Sequence, residues 1–251
     1  MDLEIGKVSV VLISYNGDKF IKKQILSILD QLRVKDELII SDDGSSDGTL
    51  SIVNSINDNR LKVFKGPALG INKNVENGIN HCMGDFVMLS DQDDVWLPGR
   101  LKYFIHNFKE NDFIFCDAQV VTENGDVLID SYFNFHRASR SLLGNIFKCR
   151  TLGCCIGFKK SALENPFEFN FHYSYLPFDY FLTIYGLTYF KCNFSDQVLH
   201  SYRRHTSNVS KGGNESDNSI FKKITYRFRV LKHTIKARPS KKKPTVRLFN
   251  V

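Results

Sequence analysis

Runs of consecutive apolar residues alternate, over the first half of the chain, with segments whose apolar residues recur every three or four positions. The continuous runs are typical of strands buried on both faces of a sheet, and the spaced segments are typical of helices that bury one face. The predicted strands cover residues 8–13, 37–41, 61–64 and 85–90, and a helical pattern follows each of them. This alternation predicts a parallel sheet with right-handed crossover connections.

Beyond Pro98 the order of the predicted elements becomes mixed. Asn124 and Gly125 indicate a hairpin turn, and Pro177 begins a predicted helix over residues 177–185. The apolar segments of this half that predict strands are residues 113–116, 151–158, 187–191 and 197–203. The chain is therefore expected to be an α/β protein whose second half adds strands to the same sheet.

Acidic side chains follow two of the predicted parallel strands at their carboxyl ends. Asp42 and Asp43 follow the second strand, and Asp91, Asp93 and Asp94 follow the fourth. Such ends lie side by side, at the edge where open α/β sheets bind ligands. Crowded carboxylates repel one another unless a cation joins them, and oxygen ligands suit Mg²⁺ or Mn²⁺ shared with substrate phosphates. The first pair alone is equally compatible with an ordinary solvated turn.

The composition limits the class of protein. The chain has 251 residues, 42% of them apolar, which is enough for one large domain with a tail or for two small domains. No apolar stretch approaches the roughly 20 residues of a transmembrane helix, and the first residues lack the pattern of a signal peptide, so a cytoplasmic protein is expected. Six cysteines without a C-x-x-C pair favour free buried thiols over zinc or disulfides.

The positive charge is concentrated at the carboxyl end. Residues 218–251 hold eleven Lys and Arg and no acid, whereas residues 1–217 hold 23 basic and 27 acidic residues. We therefore divide the chain into a body, residues 1–215, and a basic tail, residues 216–251. The tail also carries an apolar stripe at helical spacing, formed by Phe221, Ile224, Phe228, Leu231 and Ile235.

Three partners of this basic amphipathic helix stay open. It is compatible with peripheral contact between residues 218–238 and an anionic membrane. It is equally compatible with docking on the protein's own body or on another subunit. Nucleic acid is not expected, because the large apolar residues argue against a simple phosphate-binding arm.

Three motifs follow one another in the first half of the chain, at residues 10–17 (VVLISYNG), 41–47 (SDDGSSD) and 90–96 (SDQDDVW). In this order they resemble the motifs of the family 2 glycosyltransferases with the GT-A fold. Gly153-Cys154, Phe178-Asp179-Tyr180 and residues 202–208 (YRRHTSN) extend the similarity to the bacterial branch that builds surface polysaccharides, which includes rhamnosyltransferases. The resemblance covers about residues 7–210 and implies a GT-A fold, a Rossmann-like, mostly parallel sheet flanked by helices.

The resemblance also implies a nucleotide-sugar site. Its residues here are Ser14, Tyr15, Asn16, Asp42, Asp43, Lys73, Asp91, Gln92 and Asp93. Asp91-Gln92-Asp93 matches the D-x-D motif, so Asp91, Asp93 and His205 are expected to hold Mn²⁺ or Mg²⁺. Asp42 matches the position that accepts a pyrimidine N–H. Lys73 replaces an arginine of many relatives.

Three of these assignments have an ordinary structural alternative. Lys73 is equally compatible with an exposed helix residue. His205 is equally compatible with a surface histidine in a basic loop, beside Arg203 and Arg204, which would offer charge to the phosphates. Asp179 matches the catalytic base of the family, although Phe178 replaces the usual Glu or His before it, and an acid at a helix N-terminus is also favoured by the helix dipole.

The function implied by the resemblance is inverting, metal-dependent glycosyl transfer. Asp179 would take the proton of an acceptor hydroxyl as that oxygen displaces the nucleoside diphosphate in line. The expected donor is a UDP- or dTDP-sugar, and the expected acceptor is a surface polysaccharide or a lipid-linked oligosaccharide. Alternatives are a sugar-nucleotide hydrolase, a nucleotidyltransferase, and a non-catalytic binding protein with a basic tail.

Overall fold

The structure, a computed structural model, describes residues 5–163, 177–206 and 220–239. Its strands are β1 (Val8–Ser14), β2 (Glu37–Asp42), β3 (Leu61–Lys65), β4 (Phe86–Asp91), β5 (Val95–Trp96), β6 (Phe113–Val121), β7 (Val127–Ile129), β8 (Ile156–Lys159) and β9 (Cys192–Arg203). Its helices are α1 (Ile21–Leu29), α2 (Thr49–Asn54), α3 (Ile71–Asn80), α4 (Arg100–Asn107), α5 (Tyr132–His136), α6 (Leu142–Phe147), α7 (Phe178–Tyr189) and α8 (Ile220–Lys236).

The described strands form one mostly parallel sheet, as the apolar pattern predicts. Its order is β3-β2-β1-β4-β8-β6-β9-β5, with β7 beside β6. Strands β1 to β4 are parallel to one another, β8 is antiparallel to β4 and β6, and β9 is parallel to β6. The carboxyl ends of β1, β2, β4, β6 and β9 therefore lie along one edge of the sheet, where the chemistry is expected.

Helices cover both faces of the sheet, so alternate residues of one strand enter different cores. Val10 and Leu12 of β1 pack with residues of α1, α2 and α4, whereas Val11 and Ile13 pack with residues of α3, α6, α7 and α8. All seven residues of β1 are buried. Burial on both faces explains why this strand is a continuous apolar run rather than an alternating one.

The predicted strand 151–158 is wrong at its start, and the predicted strand 187–191 is wrong altogether. Residues 153–155 form a 3₁₀ turn, and the strand begins only at Ile156. Residues 187–189 belong to α7, and the next strand begins at Cys192. Helix α7 is buried nearly all round, between the sheet and α8. A helix with no solvent face has no apolar period, so its end resembles a strand in sequence.

Helix α8 packs on α7 mainly through a face other than the predicted apolar stripe, although Leu231 of that stripe also packs against the core. Val230, Thr234 and Ala237 are buried, and Tyr189 Oη donates to the Thr234 carbonyl at 3.1 Å. Docking on the body, one of the open alternatives, is therefore observed. No helix among the described residues combines the length and the apolarity that crossing a membrane requires.

The cysteines are free thiols, as predicted from their spacing. Cys82, Cys116, Cys154 and Cys155 are buried, whereas Cys149 and Cys192 are half-buried. Burial raises the pKa of the Cys82 thiol to about 12, which makes this side chain an inert apolar filler at neutral pH.

Candidate active site

The loop after β4 brings Asp93 to a histidine that is distant in sequence. Asp93 Oδ2 lies 2.8 Å from Nε2 of His205, whose ring stacks on Phe20 with centroids 4.9 Å apart. Two ligand atoms on an octahedral ion at about 2.1 Å stand about 3.0 Å apart. The two atoms form a hydrogen bond here, and they are close enough to act together as ligands of a divalent cation of the Mg²⁺ or Mn²⁺ kind.

Crowding of the carboxylates in this loop disfavours their charged forms. Burial and the neighbouring Asp94 raise the pKa of Asp93 to about 6. Burial, followed by the charges of Asp94, Asp93 and Asp179, raises the pKa of Asp91 well above its ordinary value. A bound cation would favour the charged carboxylates, because its attraction to each of them would outweigh their repulsion of one another.

A second group of ligand atoms lies beside the first. A carboxylate oxygen of Asp91, one of Asp94 and Sγ of Cys154 lie within 4.8 Å of one another. Burial raises the pKa of the Cys154 thiol well above its ordinary range, so the carboxylates are the ligands available to a hard cation at neutral pH. The donor set of this loop therefore fits Mg²⁺ or Mn²⁺.

A buried chain of three side chains holds the acidic loop from behind. His200 Nε2 lies 2.8 Å from Asp94 Oδ2, and its Nδ1 contacts the guanidinium of Arg100. All three side chains are at most 1% exposed. Burial and the Arg100 charge lower the pKa of His200. Because arginine only donates, the neutral imidazole accepts at Nδ1 and donates from Nε2 to Asp94.

The sequence reasoning missed Arg100 and His200, and it gave Asp94 no role beyond crowding. The sequence pattern does indicate a buried position for Arg100. Arg100 stands at the helical spacing of the apolar residues Phe104 and Phe108, on the face that α4 buries. A charge at such a position needs a buried partner. His200 lies within a strand and shows no such pattern, so only the tertiary structure reveals the pair.

Arg203 also supports the acidic loop rather than reaching outward. Its Nε donates to the Asp93 carbonyl at 2.9 Å, and its backbone N–H donates to Asp94 Oδ1 at 2.8 Å. Nη1 donates to the Glu123 carbonyl at 2.6 Å, and the guanidinium lies 5.2 Å from the centre of the Phe20 ring. With its side chain buried, this geometry does not support the expectation that Arg203 offers its charge to phosphates.

Asp42 is buried at the end of β2, and its oxygens are already occupied. It accepts from Ser14 Oγ at 2.7 Å, Ser45 Oγ at 2.6 Å, Ser45 N at 2.8 Å and Gly44 N at 3.1 Å. A carboxylate has about four acceptor positions. These hydrogen bonds hold the loop after β2 in place beside Ser14. Contact of Asp42 with a base N–H stays a prediction.

The end of β1 is tied to the acidic loop through Gln92. Its side-chain amide accepts from the Tyr15 N–H and donates to the Tyr15 carbonyl, both at 2.9 Å. The Tyr15 side chain is 58% exposed at this cleft. Asn16 follows with a positive φ of 49°, and its Oδ1 accepts from Ser46 N at 2.8 Å. Tyr15, Asn16 and Gln92 thus lie together at the mouth of the cleft between β1 and β4.

Asp43 and Lys73 lie near the start of α3. Asp43 accepts from the N–H groups of Ala68 at 2.7 Å and Gly70 at 2.9 Å, which fixes the loop leading into this helix. Lys73 Nζ lies 2.8 Å from Glu76 Oε2 on the same helix. Lys73 is half-buried rather than exposed, and its contact with a nucleotide stays a prediction.

Asp179 lies in the first turn of α7 and faces the acidic loop. Its Oδ1 accepts from Tyr180 N at 2.7 Å. Burial raises the pKa of Asp179 to about 6, and its charge contributes to the raised pKa of Asp91. A Cβ at Gly153 would lie 2.4 Å from the Phe178 ring, so this glycine allows α7 to approach the 3₁₀ turn. Asp179 and the acidic loop therefore share one cleft.

Comparison with known proteins identifies the family of this chain. The sequence model described as "Glycosyl transferase family 2" matches residues 9–167, which is more than half of the chain. A relative from Escherichia coli, the UDP-Glc:alpha-D-GlcNAc-diphosphoundecaprenol beta-1,3-glucosyltransferase WfgD, is 26% identical over 211 residues, 81% of this chain and 79% of that protein. Two other curated relatives match over only 35% and 49% of their own lengths.

Solved structures share the fold at low sequence identity. TarS 1–349 of S. aureus in complex with UDP-GlcNAc is similar with a TM-score of 0.63 and 21% identity, over 92% of this chain and 73% of that chain. The mannosyltransferase PcManGT of Pyrobaculum calidifontis, in complex with GDP-Man and Mn²⁺, is similar with a TM-score of 0.60 and 16% identity, over 94% of this chain and 75% of that chain. The sequence match and the mostly parallel sheet agree, and the chain belongs to glycosyl transferase family 2.

Proposed function

We propose that this glycosyltransferase moves a sugar from a nucleoside-diphosphate sugar to a hydroxyl of a lipid-linked glycan, with inversion at the anomeric carbon. The observation that carries the proposal is the position of Asp179 across one cleft from Asp91 and Asp93, at the carboxyl ends of parallel strands. Its raised pKa of about 6 suits a group that must accept a proton near neutral pH.

The donor would lie over the ends of β1 and β4. Tyr15 and Asn16 border the space for the nucleoside, and the carboxylates of Asp91 and Asp93 border the space for the diphosphate. Asp91, Asp93 and His205 would hold a divalent cation, which would neutralise charge on the departing diphosphate. Arg203 and Gln92 keep the loop in place through backbone hydrogen bonds.

The acceptor would approach from the side of α7. The ionised carboxylate of Asp179 would accept the hydroxyl proton while the acceptor oxygen forms a bond to the anomeric carbon. The bond from that carbon to the diphosphate breaks on the opposite side, so a single displacement inverts the configuration. Such a base contributes about 10²- to 10⁴-fold in rate.

The names of similar proteins guide the choice of substrates. WfgD is named for UDP-Glc and a diphosphoundecaprenol-linked acceptor, and the TarS complex contains UDP-GlcNAc. A UDP-sugar donor and a polyprenyl-diphosphate glycan acceptor are therefore the first pair to test, followed by dTDP-sugars. An acceptor of this kind would bring the reaction to a membrane surface.

The test is a donor screen with Mn²⁺ that follows both diphosphate release and sugar transfer to an extracted lipid-linked acceptor. The wild type should transfer sugar with inversion, as seen by NMR of the product, and chelation should abolish transfer. Asp179→Asn should lose transfer but keep donor binding, whereas Asp130→Asn, at an exposed carboxylate, should retain both. Diphosphate release at the same rate without acceptor would instead identify a hydrolase.

A further inference from the structure

Helix α8 presents an apolar stripe to solvent although the helix is already docked. Ile224, Phe228 and Ile235 are 42%, 71% and 58% exposed, whereas Val230 and Thr234 are buried against the body. At 3.6 residues per turn, the exposed stripe lies about 130° around the helix from the buried face. The packing of α8 on α7 therefore does not explain these three side chains.

The stripe continues onto helix α6. Leu143 and Phe147 are 58% and 67% exposed, one helical turn apart. Arg227 joins the two helices, because its Nη2 donates to the Phe147 carbonyl at 2.7 Å and its guanidinium lies 5.5 Å from the centre of the Phe147 ring. Leu143 and Phe147 on α6, with Ile224 and Phe228 on either side of Arg227 on α8, are together named the α6–α8 seam here. Grouped exposed apolar residues of this kind mark interaction sites.

Cationic side chains surround the seam. Arg229, Lys232 and Lys236 are exposed on α8 beside the stripe, and Lys148 is exposed directly after α6. The sequence has no acid from residue 218 onward. Large apolar residues bordered by Lys and Arg are the pattern of a helix lying in an anionic membrane interface. In a symmetric dimer formed through the seam, these like charges would be placed close together.

We propose that the α6–α8 seam docks this protein on an anionic phospholipid bilayer. The apolar side chains enter the boundary between headgroups and acyl chains, and the flanking cations contact the headgroups. This orientation has a consequence for catalysis that rests on the proposed function. Tyr180, next to the proposed base, donates from its hydroxyl to the Ile146 carbonyl of α6 at 2.9 Å. Docking through α6 and α8, which both pack on α7, would therefore bring the helix that carries the proposed base close to the membrane.

The test is co-sedimentation of the full chain with vesicles, which requires no substrate. Vesicles of phosphatidylethanolamine with phosphatidylglycerol should bind the wild type, and vesicles of phosphatidylcholine alone should bind it weakly. The double variant Phe147→Ser with Phe228→Ser should lower the partition coefficient about tenfold or more. Each of Lys232→Gln and Lys236→Gln should lower it about fivefold, and added salt should weaken the remaining binding.

Met83→Ser is the matched control for the serine variants. Met83 is 73% exposed and precedes the amino end of β4, away from the cleft, so vesicle binding should not change. Thermal unfolding of the seam variants should match the wild type, because the altered side chains face solvent. Glycosyl transfer to a water-soluble acceptor fragment should also be retained, which separates loss of docking from loss of the site.

Three results would overturn the proposal: no binding of the wild type to anionic vesicles, binding unaffected by the two serines, or a concentration-dependent dimer in sedimentation that the serines abolish in the absence of vesicle binding. Vesicle binding without any glycosyl transfer would leave the docking surface intact and refute only the proposed function.

Discussion

Replacement of Asp179 by asparagine should stabilise the fold while it removes the proposed base. Burial raises the pKa of Asp179 from its ordinary value of 3.8 to about 6. The folded state then binds more protons than the unfolded state between these values, so the free energy of unfolding falls as the pH rises through this window. At about 1.4 kcal/mol per pKa unit, the ionised group costs about 3 kcal/mol at about pH 8. This is an upper limit, because the side chain keeps some contact with solvent.

The assay is urea unfolding of the wild type and Asp179→Asn, with a chelator present so that no added cation offsets the carboxylate charge. The variant should gain roughly 2 to 3 kcal/mol at about pH 8 and roughly half of that at about pH 5. Asp130→Asn, at an exposed position, should gain nothing at either pH. An Asp179→Asn variant that is less stable than the wild type at about pH 8 would refute the reasoning.

The same raised pKa predicts the pH dependence of catalysis. A base with a pKa of about 6 is protonated below that pH, so kcat/KM should fall about tenfold per pH unit on the acid side. Measurement over the acid range checks the slope, with donor binding measured in parallel. A rate that stays constant well below pH 6, with donor binding unchanged, would rule out Asp179 as the proton acceptor.

Two further predictions concern the acidic loop. Asp93→Ala and His205→Ala should each weaken Mn²⁺ binding about 10- to 100-fold, because each removes one of two candidate ligands 2.8 Å apart. Isothermal titration calorimetry measures the Mn²⁺ affinity of each variant. His200→Leu should destabilise the fold by about 3 to 5 kcal/mol, because it removes the imidazole that hydrogen-bonds to both buried charges, Arg100 and Asp94. Urea unfolding measures this change in the free energy of unfolding.

Each of these variants has a control at an exposed position. Asp126→Ala changes a carboxylate on the turn between β6 and β7, and His106→Leu changes a histidine on the outer face of α4. Neither should alter Mn²⁺ affinity or the free energy of unfolding by more than about 0.5 kcal/mol. Unchanged Mn²⁺ affinity in both Asp93→Ala and His205→Ala would contradict the proposed ligands, and a neutral His200→Leu would contradict the buried bridge.

The sequence by itself determined the sheet and the location of the cleft. Strands β1, β2 and β4 are recognisable because burial on both faces demands continuous apolar residues. The acids that end β2 and β4 meet at one edge because parallel strands align their carboxyl ends. The D-x-D and Asp179 motifs indicated the family because several of them occur in the same order.

Only the tertiary structure decided which side chains are already occupied. The sequence matches Asp42 to a nucleotide-binding position, and only the structure shows that its carboxylate accepts four hydrogen bonds from the protein. Arg100 and His200 are 100 residues apart and meet beneath Asp94 because α4 and β9 converge there. Hydrogen bonds and burial depend on which segments contact each other in the fold. The spacing of residues along the chain does not show contacts between segments that are distant in sequence.

The same reason explains helix α8. Its helical period and its basic charge follow from the order of its residues, and they predict a single apolar face at Ile224 and Phe228. The face of α8 that docks is decided by its packing against α7, which buries Val230 and Thr234. Periodicity therefore identified an apolar surface, while packing decided that this surface points outward.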